Sequence, residues 1–337
     1  MAASAHASQS TSAPRYLDLQ TADAVLRWIN GYRANPAPEG VPEAAKALSR
    51  LGAFKDAEAA GVYIGFIAGV IGTEHEQADQ LIARMIPAVA PEDHWVLVRA
   101  IAYSDHPEWR RLLAAHAPRM PTRRVMIDRY LRGQTPLLFQ VSPGRSQTMM
   151  QRARNYYDTT YGGKKVRPEA LDPSPELLDT FWGYYFATRR YRPVSRIVAM
   201  LPMSKDEESV EKLTLGNMAK FTLATNASRD AVLLGLLKQA AASERKTVSP
   251  ILKEVIEAAD TVEIAKIRKQ ALASIEELRR KGPGSTRMFS SLGQVGLGAL
   301  SLGCVAAAAT GQVYLGLPCV LGGAVSSTAL RYWETNR

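Results

Sequence analysis

Apolar positions in this chain recur every three to four residues over most of the stretch before Gly282, and no sustained two-residue alternation appears. That periodicity describes helices with one buried stripe and argues against a sheet. It predicts helices at about 21–34, 53–72, 76–86, 91–103, 121–132, 175–189, 205–227, 229–242, 250–259 and 261–281. Several ends carry capping signals. Ser174-Pro175 and Ser249-Pro250 each put a hydroxyl ahead of a proline at the first helical position. Asp260 with Glu263 forms a candidate capping box, and Gly133 ends the helix that Pro121 opens.

One helix stands apart. In AAGVYIGFIAGVIG, Gly61, Gly65 and Gly69 recur every four residues and leave one helix face bare. An interior glycine costs about 1 kcal/mol against alanine, so three together predict a second backbone packed closely there. The uncharged stretch Ala59–Thr73 is short for a membrane span. It is expected to be the central buried helix, with membrane insertion as the other reading.

From Met288 to Leu330 the chain runs forty-three residues without an Asp, Glu, Lys, Arg or His. A spanning helix needs about 20 apolar residues, so the run predicts two: 290–309 and 313–330, turning at Thr310-Gly311-Gln312. Small residues spaced by four, Ala299 with Gly303, Gly322 with Ser326 and Gly323 with Ser327, would let the two helices pack closely in lipid. Arg279, Arg280, Lys281 and Arg287 precede the run, and Arg331 and Arg337 follow it. The positive-inside rule places both termini in the cytoplasm of a two-span membrane protein. Cys304 and Cys319, the chain's two cysteines, would sit at one depth in that hairpin. Packing as small apolar side chains and pairing with each other are both open to them. A pair of buried helices capping a soluble core is the competing reading of the whole run.

Breaks in the pattern divide the chain into a disordered tail (1–15), an N-terminal helical domain (16–133), a basic linker (134–172) with one short helix around 146–157, a C-terminal helical domain (173–281) and the hairpin (288–331). Met1 to Pro14 is small and polar and lacks the apolar core of a Sec signal. In the second helical domain, Pro250-Ile251-Leu252, Val255, Ile256, Asp260, Ile267-Arg268, Ala271, Ser274-Ile275 and Leu278 follow one another at the spacing of a HEAT-type helical repeat, which 250–278 resembles. The resemblance implies an α-solenoid or bundle that binds a protein partner and performs no chemistry. The expected fold is therefore all-α, a helical-repeat-like body followed by a transmembrane hairpin.

Charge sharpens this picture. The chain carries a net +10, and eleven basic residues fall between positions 119 and 167: Arg119, Arg123, Arg124, Arg129, Arg132, Arg145, Arg152, Arg154, Lys164, Lys165 and Arg167. Only Asp128 and Asp158 oppose them, so this segment alone holds +9 and the remainder is nearly neutral. Such a concentration predicts an anionic partner, and beside a hairpin the nearest is the lipid of the inner leaflet. A second cluster, FWGYYFATRRYRPVSR (Phe181 to Arg196), mixes aromatics with arginines as single-stranded nucleic acid binders do. At helical spacing Leu178, Trp182, Tyr185 and Phe186 equally form one core stripe.

Catalytic signatures are missing. A phosphate-binding loop fails at Gly163-Lys164, because Lys165 follows and Asp158 stands where the first glycine belongs. There is no nucleophile elbow. His75, His94, His106 and His116 show no metal spacing and are expected to be exposed or capping. Asp206, Glu207, Glu208 and Glu211 suit the first turns of a helix. The expectation is a membrane-anchored, cytoplasm-facing helical scaffold, without enzyme activity, cofactor or metal. A nucleic-acid-binding helical protein and an exported membrane-inserting protein are the alternatives.

Overall fold

The computed structural model describes residues 19–141, 170–243 and 247–261, and the regular elements among them are all helical. In chain order they are α1 (Ala22–Tyr32), α2 (Val41–Arg50), α3 (Gly61–Thr73), α4 (Ala78–Ala88), α5 (His94–Tyr103), α6 (Trp109–His116), α7 (Arg124–Leu131), α8 (Pro175–Thr188), α9 (Tyr191–Val198), α10 (Val210–Ala227), α11 (Ala231–Ser243) and α12 (Ser249–Thr261). Short 3-10 turns lie at Pro38–Gly40, Pro91–Asp93, Ala117–Arg119, Pro121–Arg123 and Leu201–Lys205. The expected all-α class is observed. The predicted helix at 146–157, most of that at 261–281, and the hairpin with Ala299, Gly303, Gly322, Gly323, Ser326 and Ser327 lie outside the described residues.

Local chemistry explains where the elements begin and end. Ser174 caps α8, accepting the Leu177 N–H at 3.1 Å. At the end of α7, Gly133 has φ +67°, and the Gln134 N–H reaches back to the Arg129 carbonyl at 2.8 Å. Together with the Gly133 N–H to the Tyr130 carbonyl, this is a Schellman closure. The helix predicted from residue 53 begins only at Gly61, because the Asp56 carboxylate takes the Glu58 N–H at 2.9 Å and holds a local turn. Two caps differ from expectation. The Ser249 hydroxyl donates to the Ala241 carbonyl of α11 at 3.2 Å, and Asp260 lies inside α12, where it pairs with Lys238 at 2.9 Å. Three short helices escaped the periodicity. α2 buries mainly alanines on its apolar face, α6 has eight residues, and only two residues separate α9 from α8, Arg189 turning left-handed at φ 54°.

α3 and α8 form the centre, and they meet backbone to backbone. A Cβ on Gly65 would stand 1.9 Å from the Thr180 carbonyl oxygen, and one on Gly183 would stand 2.0 Å from that of Val62. Gly61 approaches Glu176 and Gly69 approaches Ala187, so the two helices run parallel with their bare faces in contact. The remaining faces of α3 are covered as well, and Val62, Tyr63, Ile64, Phe66 and Ile67 are all buried. α5 packs on another side of α3; Gly72 there abuts the Ser104 carbonyl, which accepts the Tyr184 hydroxyl of α8 at 2.9 Å. α1 joins through Trp28 and Tyr32, whose rings meet Phe66 edge-on at 5.4 and 4.9 Å.

Helices of the C-terminal half extend the same core. Trp182 donates its indole N–H to Thr222 of α10 at 3.0 Å. Buried Lys220 of α10 pairs with Glu254 of α12. Arg33, following α1, pairs with half-buried Asp230 at 3.0 Å and lies over the Tyr185 and Phe186 rings. The second carboxylate oxygen of Asp230 caps α11 through the Val232 and Leu233 N–H groups. Residues on both sides of the 134–172 segment thus share one continuous hydrophobic core.

The α3–α8 contact predicts a sharp contrast among glycines. Gly65→Ala and Gly183→Ala should each destabilise the fold by about 3 kcal/mol or more, since backbone must move to admit a methyl group. Gly235→Ala in α11, where a Cβ would meet nothing within 4 Å, should instead stabilise by about 0.5–1 kcal/mol. Urea unfolding of the three variants reads this directly, and equal effects at Gly65 and Gly235 would contradict the packing.

Candidate anionic-surface interface

Of the eleven basic residues singled out above, Arg119, Arg123, Arg124, Arg129 and Arg132 are described; Arg145, Arg152, Arg154, Lys164, Lys165 and Arg167 lie outside the described residues. The five divide by role. Arg119 donates to the Ala83 carbonyl of α4 at 2.9 Å, and Arg123 donates to the Glu92 carbonyl. Both guanidinium groups therefore clamp the start of α7 to neighbouring elements. Arg124, Arg129 and Arg132 point outward from α7, whose opposite face buries Ile127 and Tyr130.

Asp128 stands between Arg124 and Arg132, one turn from each, at 3.7 and 4.0 Å. Exposed pairs at such distances contribute little, about 0–1 kcal/mol. Arg129 is exposed and has no acidic partner among the described residues. On the same face sits Val125, 70 % exposed. A count of charges identifies the arginines and is blind to the apolar residue among them. Its signal was an apolar side chain one position off the buried stripe of Ile127 and Tyr130.

The inner side of α7 is held by a polar network. Arg99 of α5 pairs with Glu176 in the first turn of α8 and lies 5.2 Å over the Trp95 ring. The Tyr130 ring of α7 meets that of Tyr103 edge-on at 6.3 Å, and burial raises its phenol while the Arg99 charge pulls it down. Burial pushes the Glu176 carboxyl above the usual carboxylate range, with Arg99 pulling the other way. Burial also raises the Tyr103 phenol well above its ordinary value and that of Tyr184 to about 12.

The aromatic–arginine cluster takes its core reading. Phe181, Trp182, Tyr184, Tyr185 and Phe186 are all buried, so none presents a ring to a base. Among its arginines, Arg192 pairs with Asp105 and covers the Phe139 ring at 4.0 Å. Three histidines are buried, which the sequence did not indicate, and all three tie turns together. His94 donates to the Ile86 carbonyl at 3.0 Å, His106 accepts the Glu108 N–H at 3.0 Å, and His116 meets Asp79 at 3.0 Å. His75 is exposed and donates to the Gly72 carbonyl at 2.8 Å. Asp206 precedes its helix, taking the Glu208 and Ser209 N–H groups. Among the described residues no group of three or more His, Cys, Asp or Glu could hold a metal ion. Among them, too, no helix is long and apolar enough to cross a membrane. Comparison with protein families, with characterised proteins and with solved structures finds no match for the chain.

Two outcomes follow. Arg119→Ala and Arg123→Ala should each cost about 1 kcal/mol of stability through the lost carbonyl bonds, while Arg124→Ala, Arg129→Ala and Arg132→Ala should stay within about 0.5 kcal/mol of the parent. Thermal melts of the five variants separate clamp from free surface. The raised phenols of Tyr103, Tyr184 and Tyr185 hold their protons in the folded chain, whereas unfolded tyrosine ionises near pH 10. Their contribution is therefore complete below pH 10 and lost as pH climbs towards the folded values. Phenolate absorbance at 295 nm should show these groups ionising together with loss of helical circular dichroism. Smooth ionisation of all 13 tyrosines near pH 10 with helicity intact would count against their burial.

Proposed function

We propose that this chain is a membrane-attached helical scaffold facing the cytoplasm, held by a hairpin at 288–330 and presenting its helical body to a protein partner. The observation that carries the reading is the pairing of that uncharged C-terminal run with an outward arginine face on α7, the described part of the basic segment. Anionic leaflet lipid attracts juxtamembrane basic residues by about 1 kcal/mol each. Arg124, Arg129 and Arg132 together are worth about 3 kcal/mol on that scale, enough to orient a tethered body and too little to recruit a free one. The hairpin supplies attachment and the arginines supply orientation.

The helical body supports a binding role. Within the HEAT-like segment 250–278, Ile251, Leu252 and Val255 of α12 are buried, and the segment's second helix lies outside the described residues. With five of its six aromatics buried, Tyr191 being half-buried, the Phe181–Arg196 cluster does not favour the nucleic-acid reading.

Alkaline carbonate extraction of membranes carrying the full chain tests the attachment. The intact protein should remain in the pellet, and Val305→Asp with Val320→Asp should release it by placing a charge in each span. Release of the intact chain by carbonate would defeat the proposal.

A further inference from the structure

α7 combines two features that a purely solvated helix has no need of. Val125 is 70 % exposed, the most open of the large apolar side chains described. Arg129 lies one turn beyond it and Arg124 next to it, while Arg132 follows one turn beyond Asp128. The face is therefore an apolar tip set among three cations, with a single carboxylate between them. Arg124 and Arg132 are 68 % exposed, and their pairing with Asp128 is long as well as solvated, so an anion of higher charge density can take them over. Arg119 and Arg123, bound to the Ala83 and Glu92 carbonyls, hold the helix at its N-terminal end, and buried Ile127 and Tyr130 hold its inner side. The outward residues can then meet a surface without the helix turning.

We infer that α7 is the face with which the body seats on an anionic bilayer, Val125 entering the headgroup layer and Arg124, Arg129 and Arg132 engaging lipid phosphates and carboxylates. The inference rests on the reading of the chain as membrane-attached and names the surface through which it lies down. Charge complementarity selects the occupant: Val125, unlike the other exposed apolar side chains Leu51 and Val232, stands among three outward arginines, and that combination matches a surface with anions above an apolar layer. A bilayer interface supplies both within a few ångströms. Asp128 then acts as an internal competitor. In the undocked body it draws Arg124 and Arg132 towards the middle of the helix, and on docking its charge opposes the lipid.

That competition gives the inference a distinctive test. The full chain, carrying Cys304→Ala and Cys319→Ala so that a nitroxide can be placed at Val125→Cys alone, is reconstituted into vesicles of phosphatidylcholine with and without phosphatidylserine. With phosphatidylserine the label should gain oxygen accessibility and lose accessibility to a water-soluble nickel chelate. In phosphatidylcholine alone it should remain aqueous, as should a label at Val232→Cys on α11. Asp128→Asn should shift the label further towards the inserted state by about fivefold, the equivalent of one removed negative charge at the surface. Replacing Arg124, Arg129 and Arg132 by Gln should return the label to water while carbonate retention is unchanged. A label that stays aqueous in a carbonate-resistant protein, or an Asp128→Asn variant that weakens insertion, overturns the inference and leaves only the hairpin attachment of the proposed function standing. A label that inserts in a protein that carbonate releases does the reverse. An aqueous label in a carbonate-released protein removes both.

Discussion

Everything described in this molecule is arranged around a place where two helix backbones touch with no side chain between them. Gly65 of α3 faces the Thr180 carbonyl, Gly183 of α8 faces the Val62 carbonyl, and at both a single methyl group would overlap main-chain atoms. Interiors pack at close to crystal density and do not yield to such an overlap without displacement. Because α3 and α8 run parallel, they belong to sequence-distant parts of the chain, with α4 to α7 between them in sequence. α5 packs beside that contact, with Gly72 of α3 against the Ser104 carbonyl at its end.

Polar groups in the interior reinforce that arrangement at its two ends. Near the start of α8, Arg99, Glu176, Tyr103 and Tyr130 connect α5, α7 and α8; towards the end of α8, Arg33, Tyr185 and Asp230 connect α1, α8 and the start of α11. These ion pairs are half-buried, so losing one partner leaves a charge that water only partly compensates, and such a knot disfavours alternative packings. In both knots an arginine also lies over an aromatic ring, Trp95 for Arg99 and Tyr185 and Phe186 for Arg33. The same residue type therefore does different work according to depth: paired inside, clamping carbonyls at Arg119 and Arg123, and open to solvent at Arg124, Arg129 and Arg132.

Much of the helical organisation was legible along the chain because its signals are local. Ser174-Pro175 caps α8, Gly133 closes α7, and the glycine stripe of α3 required a nearby backbone. Where local signals misled, a competing contact had won. Asp56 held a turn ahead of α3, Ser249 turned back to α11, and Asp260 was drawn to Lys238 inside α12. The short helices α2, α6 and α9 hold few residues each, and packing against longer neighbours stabilises them.

By itself, then, the sequence determined the all-α class, the close-packing character of Gly61–Thr73, the uncharged run at 288–330 and the concentration of positive charge near the middle of the chain. Only the tertiary structure decided that α8 fills the glycine groove, that the aromatic–arginine cluster turns its rings inward, and that three of the five described arginines around α7 remain outward beside Val125. The physical reason is range. Caps, turns and charge runs involve neighbours a few residues apart, whereas the partner of a bare helix face and the availability of a guanidinium group depend on residues forty or a hundred positions away.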